Sequence, residues 1–162
     1  MEHSPIKRHP SLQPLSRHHF HGLVIAQNLL RAGTEPDSLS IPDVRSDLAE
    51  FWSSGGRDHF REEEEILLPV YSRYAPLDRP EISEMLMEHI RIRSLVDQIV
   101  NRQVDNETVM HELGVLLRDH IRKEERVIFP LIEAALPTDE LERLGTQLVD
   151  PTPAPRKSFH RP

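Results

Sequence analysis

Thirteen residues are written twice in this chain, RDHFREEEEILLP at 57–69 and RDHIRKEERVIFP at 118–130. Aligned without gaps, the copies agree at Arg57/Arg118, Asp58/Asp119, His59/His120, Arg61/Arg122, Glu63/Glu124, Glu64/Glu125 and Pro69/Pro130. A solvated helical face tolerates Asp for Glu or Lys for Arg, so solubility does not account for the same charges recurring at the same places. In an α-helix, residues four apart differ by about 40° in direction, so His59 and Glu63 share a face, as do His120 and Glu124. Ile66, Leu117 and Val127 lie on those faces too, which turns both pairs inward. The repeat therefore demands a fold in which two helices each aim an imidazole and a carboxylate at a core.

The rest of the chain supplies the partners. Leu15, His19, Leu23, Ala26 and Leu30 recur at intervals of three and four and predict a first helix, with Gly33 as its stop. Ser40, Pro42 and Asp43 mark the start of a second helix that runs to about Tyr74. Its inward face is expected to be Val44, Leu48, Trp52, Gly55, His59, Glu63, Ile66 and Val70, with an irregularity at Gly55-Gly56 and a kink near Pro69. Asp78 and Glu81 are spaced like a capping box before a third helix carrying Ile82, Met85, His89, Ile92, Val96 and Ile99. A fourth, after Asp105-Asn106, places Leu113, Leu116, Leu117, His120, Glu124, Val127 and Leu131 inward and ends at Pro137. No period-two alternation predicts a strand. The expectation is an all-α fold: an antiparallel up-and-down four-helix bundle over 15–136, an irregular arm at 1–14, a short extra helix within 137–149 and a Pro-rich tail at 150–162.

Each of the four helices thus turns one histidine inward, His19, His59, His89 and His120, and the two repeat copies add Glu63 and Glu124. Buried imidazoles beside buried carboxylates are costly unless all are satisfied. A cation satisfies the six together, since imidazole nitrogen and carboxylate oxygen suit iron, manganese or zinc. Either HxxxE alone reads as a surface pair worth a few tenths of a kcal/mol, and a lone inward His as a core residue bonded to a carbonyl. It is the convergence of six that favours metal. On the first helix His18 is the alternative to His19. Glu62 is close in phase to the inward face, Glu64 and Glu65 read as a solvated flank, and His111, half a turn from His120, is expected to be exposed.

Composition removes other classes. The absence of cysteine excludes disulfides, thiolate metal sites and a Cys nucleophile. A net charge of -7 repels a phosphate backbone, so nucleic acid is not expected as a partner. No apolar run is long enough for a membrane, and MEHSPIKRHP lacks the apolar centre of a signal peptide, so the cytoplasm is the expected address. The HExxH unit of zinc proteases and the ExxH unit of ferritin-like di-iron proteins are both missing.

With its inward His19, His59 and Glu63, His89, and His120 and Glu124, each HxxxE followed by an apolar run and Pro, the chain resembles the hemerythrin-like, HHE cation-binding family over about residues 15–135. The resemblance implies a four-helix bundle holding two iron ions, oxo- or hydroxo-bridged, in a protein that handles or senses dioxygen or iron; zinc or manganese would suit the same donors. Small molecules such as dioxygen, peroxide or nitric oxide are the implied partners, and self-association is compatible with it. Alternatives are a di-iron enzyme acting on peroxide or nitric oxide, or a zinc-binding or metal-free structural bundle. Two positions depart from oxygen-carrying members. Arg93 stands where they have a second His four residues after the helix-three His, and Glu125 stands where they have an Asp ligand. That leaves an iron position open, or filled by water or by a carboxylate such as Glu62, and puts reversible oxygen carriage in doubt. Arg93 would then either pair with a ligand carboxylate or reach out to solvent.

Overall fold

A computed structural model of the chain describes residues 6–34 and 39–148. The expected Pro-rich tail at 150–162 lies outside the described residues. Helix makes up 81% of the described residues, and no strand occurs among them.

A single 3-10 turn, Pro10–Leu12, leads into α1, Gln13–Arg31. The helix thus begins two residues ahead of Leu15, and residues 10–14 are helical rather than irregular. Pro14 stands in its first turn, where a missing N–H costs no hydrogen bond. Gly33, at φ 69, takes the left-handed conformation that ends the segment. The second helix, α2, spans 41–71 and opens on Ser40, whose hydroxyl accepts the Asp43 N–H at 3.2 Å. The third, α3 (Pro80–Val100), lacks the expected Asp78–Glu81 capping box: Arg79 is the cap, with no side-chain bond, and Pro80 starts the helix. The fourth, α4, spans 107–135, and the Asn106 side chain accepts the Thr108 N–H at 2.8 Å. A short α5, Thr138–Gln147, follows.

Both α2 and α4 contain wide, five-residue turns that begin on the repeated glutamates, Glu63–Leu67 and Glu124–Ile128. There the Leu68 N–H donates to the Glu63 carbonyl and the Phe129 N–H to the Glu124 carbonyl, one residue further on than in an α-helix. Pro69 and Pro130 follow directly; a proline ring clashes with the carbonyl four residues back and has no N–H to give it, so the turn before each has cause to widen. The wide turn inserts a residue and shifts the phase of everything after it. As a result Leu67, Ile128 and Ile132 are buried, and Ile66, Val127 and Leu131, expected inward, are only partly so. An earlier wide turn, Trp52–Gly56, breaks α2 at Gly55, as the Gly pair led one to expect.

In α1 the buried face is Leu15, His18, His19, Gly22, Ile25, Ala26 and Leu29, whereas Leu23 is exposed and Leu30 half-buried. The outward residues Phe20, Leu23 and Val24 form an apolar stripe of their own, so periodicity alone offered two faces. His111, expected in solvent, is half-buried with Nε2 3.0 Å from the Ala32 carbonyl.

Each of α1 to α4 packs on two others: α1 on α2 and α4, and α3 on α2 and α4. The α1–α4 approach is the tightest, because a Cβ at Gly114 would stand 2.9 Å from the Ala26 carbonyl oxygen. The apolar interior divides into two clusters. One holds Ile25, Leu29, Leu48, Phe60, Ile92, Val96, Leu113 and Leu117. The other holds Leu15, Leu67, Tyr71, Met85, Ile128, Phe129 and Ile132, and is closed by Leu12 and by Leu141, Leu144 and Leu148 of the α5 region. Each of the four helices also carries buried polar residues near its passage from one cluster to the other, and together they make a polar layer.

Candidate metal centre

That layer consists of His18, His19, His59, Glu63, His89, His120 and Glu124, all at most 8% exposed. The six residues expected to face inward converge there. On α2, His59 Nε2 lies 3.0 Å from Glu63 Oε1, and on α4, His120 Nε2 lies 2.9 Å from Glu124 Oε1. His19 Nε2 lies 2.9 Å from both Glu124 Oε2 and His59 Nε2. His89 Nε2 lies 3.3 Å from Glu63 Oε2 and 3.4 Å from Glu124 Oε1. The donors fall into two groups, His19, His59, Glu63 and Glu124 in one and His89, His120 and Glu124 in the other, each with its atoms within 4.8 Å of one another. Glu124 belongs to both.

These approaches leave polar atoms unsatisfied. Both carboxylate oxygens of Glu63, Oε2 of Glu124 and Nε2 of His120 are buried without a well-formed hydrogen bond. Unpaired buried acceptors are rare because each costs its full desolvation. Two carboxylates facing each other among imidazole nitrogens form a donor set suited to iron, manganese or zinc, so the residues present fit a cation.

The ionisation of the protein without metal agrees. Burial opposes charge on His19, but Glu124 and Glu125 outweigh it and raise the group to about 10. His89 is likewise raised to about 10 by Glu124 and Glu63 against burial, and His120 to about 9 by Glu124 and Glu88. Burial and the neighbouring Glu124 push Glu63 up, yet His59 and His89 hold it down to about 2. Glu124 is held well below the ordinary carboxylate range by His120, His19 and His89 against burial. Protons on His19, His89 and His120 thus stand in for positive charge at the centre.

Behind three of the imidazoles lies a second ring of residues. His19 Nδ1 is 2.6 Å from Glu125 Oε1, and Glu125 is held in turn by Arg8 at 2.9 Å. His89 Nδ1 is 2.7 Å from Glu64 Oε1, which Arg93 holds at 2.9 Å. His120 Nδ1 is 2.8 Å from Glu88 Oε2, and Lys123 binds Glu88 and Glu84. A carboxylate accepting from Nδ1–H fixes the tautomer whose Nε2 lone pair faces the centre. Two arginines also cover the rings that flank these histidines. Arg8 lies over Phe129, which stacks on His19 at 5.3 Å, and Arg93 lies over Phe60, which stacks on His89 at 3.8 Å.

Glu64 and Glu125 are therefore partners of histidines, and Glu64 is not part of a solvated flank. Their recurrence in the repeat was the available signal. Glu88 and Arg8 carried none, since their contacts join distant parts of the chain. Arg93 pairs with a carboxylate of this outer ring, and Glu62, not itself part of the polar layer, lines a surface cleft that His18 and His59 also edge. His18 is buried beside the centre, stacked between Phe51 at 5.2 Å and His59 at 4.7 Å. Burial, together with His59 and His19, lowers it to about 3, so it is neutral. Next to His18, His59 and His120, a small, mainly apolar cavity of about 20 Å³ has room for one water-sized molecule.

The family model of the hemerythrin HHE cation-binding domain matches residues 16–132. No curated protein and no solved structure matches the chain significantly. Among the described residues no helix is long and apolar enough to cross a membrane.

Proposed function

Because the chain belongs to the hemerythrin HHE cation-binding domain family, we propose that it is a non-haem di-iron protein that handles or senses dioxygen or iron. The observation that carries this reading is the position of Glu124. Its Oε2 faces His19 while its Oε1 faces His120 and His89, so one carboxylate addresses two separate donor groups. A centre for a single ion would have no use for the second group. Glu63, close to His59 on one side and His89 on the other, has the same double aspect. We read His19, His59, Glu63, His89, His120 and Glu124 as the ligands, and α1 to α4 as the antiparallel four-helix bundle that carries them.

Bound iron would supply Lewis-acid and one-electron redox chemistry. The protein's own part is positional. Glu125, Glu64 and Glu88 hold the Nδ1 protons of His19, His89 and His120 away from the centre and keep each ring in one orientation. Phe60 and Phe129 press on two of those rings and keep water from their faces. The small cavity beside His120 and Glu124 suits a ligand no larger than a diatomic molecule. Arg93, which stands where oxygen-carrying members of the family have a second His, is engaged by Glu64, so it offers no nitrogen to the centre. This favours sensing or handling over reversible carriage.

Loading the metal-free protein with ferrous iron under nitrogen, removing excess, and measuring bound metal and the visible spectrum after admitting air tests the reading. A pair of irons per chain with ferric charge-transfer absorption, both lost in His120→Ala, is expected. A single ion, or a spectrum that His120→Ala leaves unchanged, rules out the di-iron assignment.

A further inference from the structure

Helix α3 is apolar on two sides. Ile82, Met85, Ile92, Val96 and Ile99 are buried in the bundle with His89, whereas Leu86, Met87 and Ile90 are exposed, Met87 and Ile90 to 70% and 68%. A helix with apolar residues all round belongs in an interior, and an exposed apolar patch with a polar rim marks an interaction surface. The exposed line reads Ser83, Met87, Ile90, Ser94, at steps of four, three and four. That is the spacing of a seam between two packed helices, and it is the same in either direction.

Charge along α3 is ordered by sign. Up to Ile90 its acidic and basic residues are Glu81, Glu84 and Glu88; Arg91 and Arg93 come next, and last Asp97, which Asn101 and Arg102 engage. Glu84 and Arg91 stand seven residues apart, two turns, and so lie on one flank of the seam. On that flank Lys123 of α4 binds Glu84 at 2.9 Å, and Arg91 binds Glu112 of α4. Both are surface pairs, with the Glu84 and Arg91 side chains 62% and 54% exposed, so each can take a further partner.

We propose that this face docks a second copy of the chain, α3 against α3 in opposite directions, about a two-fold axis that passes between Met87 and Ile90. Reversal sets Met87 against Ile90 of the second copy and Ser83 against Ser94, whose small side chains let the two helices approach. It also brings Glu84 of each copy to Arg91 of the other, with Lys123 and Glu112 behind them in complementary order. Two helices running the same way would instead set Glu84 against Glu84 and Arg91 against Arg91. The outward stripe of α1, Phe20, Leu23 and Val24, offers two copies no such match, because α1 contains arginine but no acidic residue.

Sedimentation equilibrium of the full-length protein tests the face. A particle of twice the chain mass is expected. Ile90→Glu should raise its dissociation constant roughly thirtyfold, as loss of a central anchor does, with the helical circular dichroism unchanged. Glu84→Arg and Arg91→Glu should each weaken the dimer, and the double variant should restore it. Within one chain the double variant still sets like charge against Lys123 and Glu112, so its recovery can come only from across the two copies. Phe20→Glu, on the α1 stripe, should stay dimeric. A monomeric wild type, an Ile90→Glu dimer as tight as wild type, a double variant no tighter than the single ones, or dissociation by Phe20→Glu instead would overturn the proposal.

Discussion

Glu64 and Glu125 occupy equivalent places in the two copies of the repeat, and each reaches to another helix to hold a histidine that its own copy does not contain, His89 on α3 and His19 on α1. Each copy thus gives the centre two inward donors of its own and a brace for a third. Replacing Glu125 or Glu64 by Gln leaves the direct donors in place but loosens a ring. The expected result is a 10–100-fold loss of metal affinity, measured by competition with a chelator. Unchanged affinity would mean that the braces do not orient the ligands.

The two inward glutamates should not be equivalent. Glu124 approaches three imidazoles and Glu63 two within 3.5 Å. Removing one partner of a buried ion pair costs about 3–5 kcal/mol. Glu124→Gln should therefore destabilise the metal-free protein more than Glu63→Gln, and should also remove more bound metal. Denaturant titrations of the two variants, with and without cobalt, check the order. Equal effects would contradict the double role given to Glu124.

Stability without metal should fall at alkaline pH. His19 and His89 are raised from 6.5 to about 10 and His120 to about 9, so their contribution is complete below 6.5 and is lost as pH climbs through about 9 to 10. On the acid side Glu63 and Glu125, lowered from 4.5 to about 2, contribute above 4.5 and lose that contribution as pH drops through about 2. A bound cation replaces the imidazole protons. Loading at neutral pH should thus release protons, detectable with an indicator dye in weak buffer, and the loaded protein should lack the alkaline decline. Loading without proton release would show the imidazoles are already neutral.

Gly114→Ala probes the α1–α4 packing on which His19 and His120 both depend. The added Cβ would meet the Ala26 carbonyl oxygen at 2.9 Å and the Leu30 nitrogen at 3.1 Å, backbone atoms that can yield only if the helices part. A loss of about 1–3 kcal/mol, read from the urea midpoint, is expected. A neutral result would indicate that the two helices are not in close contact.

What sequence made legible was whatever repeats or caps locally. Ser40 and Asn106 start helices, Gly33 ends one, and the inward His and Glu of α2, α3 and α4 lie on stripes that their apolar neighbours define. Two kinds of feature were hidden. The wide turns at Glu63–Leu67 and Glu124–Ile128 move the later core positions by one residue, which a fixed period of 3.6 misses. The outer ring is the other: Glu88 next to His89, and Arg8 more than a hundred positions from Glu125, meet their partners only once the helices have packed. Glu64 and Glu125 lay between these cases, both visible as identities, Glu64 read as solvated charge and Glu125 as the counterpart of a ligand position in the family it resembles.

The family match spans 16–132, whereas the brace on His19 runs outside those limits through Arg8, which also bonds Glu133, and the 3-10 turn beside Arg8 rests on α5, where Ser11 meets Gly145. A recombinant fragment cut to the matched span would therefore keep every direct donor and still be a damaged protein. Its first helix would lose the anchor that seats one imidazole, and the end cluster would lose its lid. Anyone trimming this chain for crystals or spectroscopy should keep both flanks.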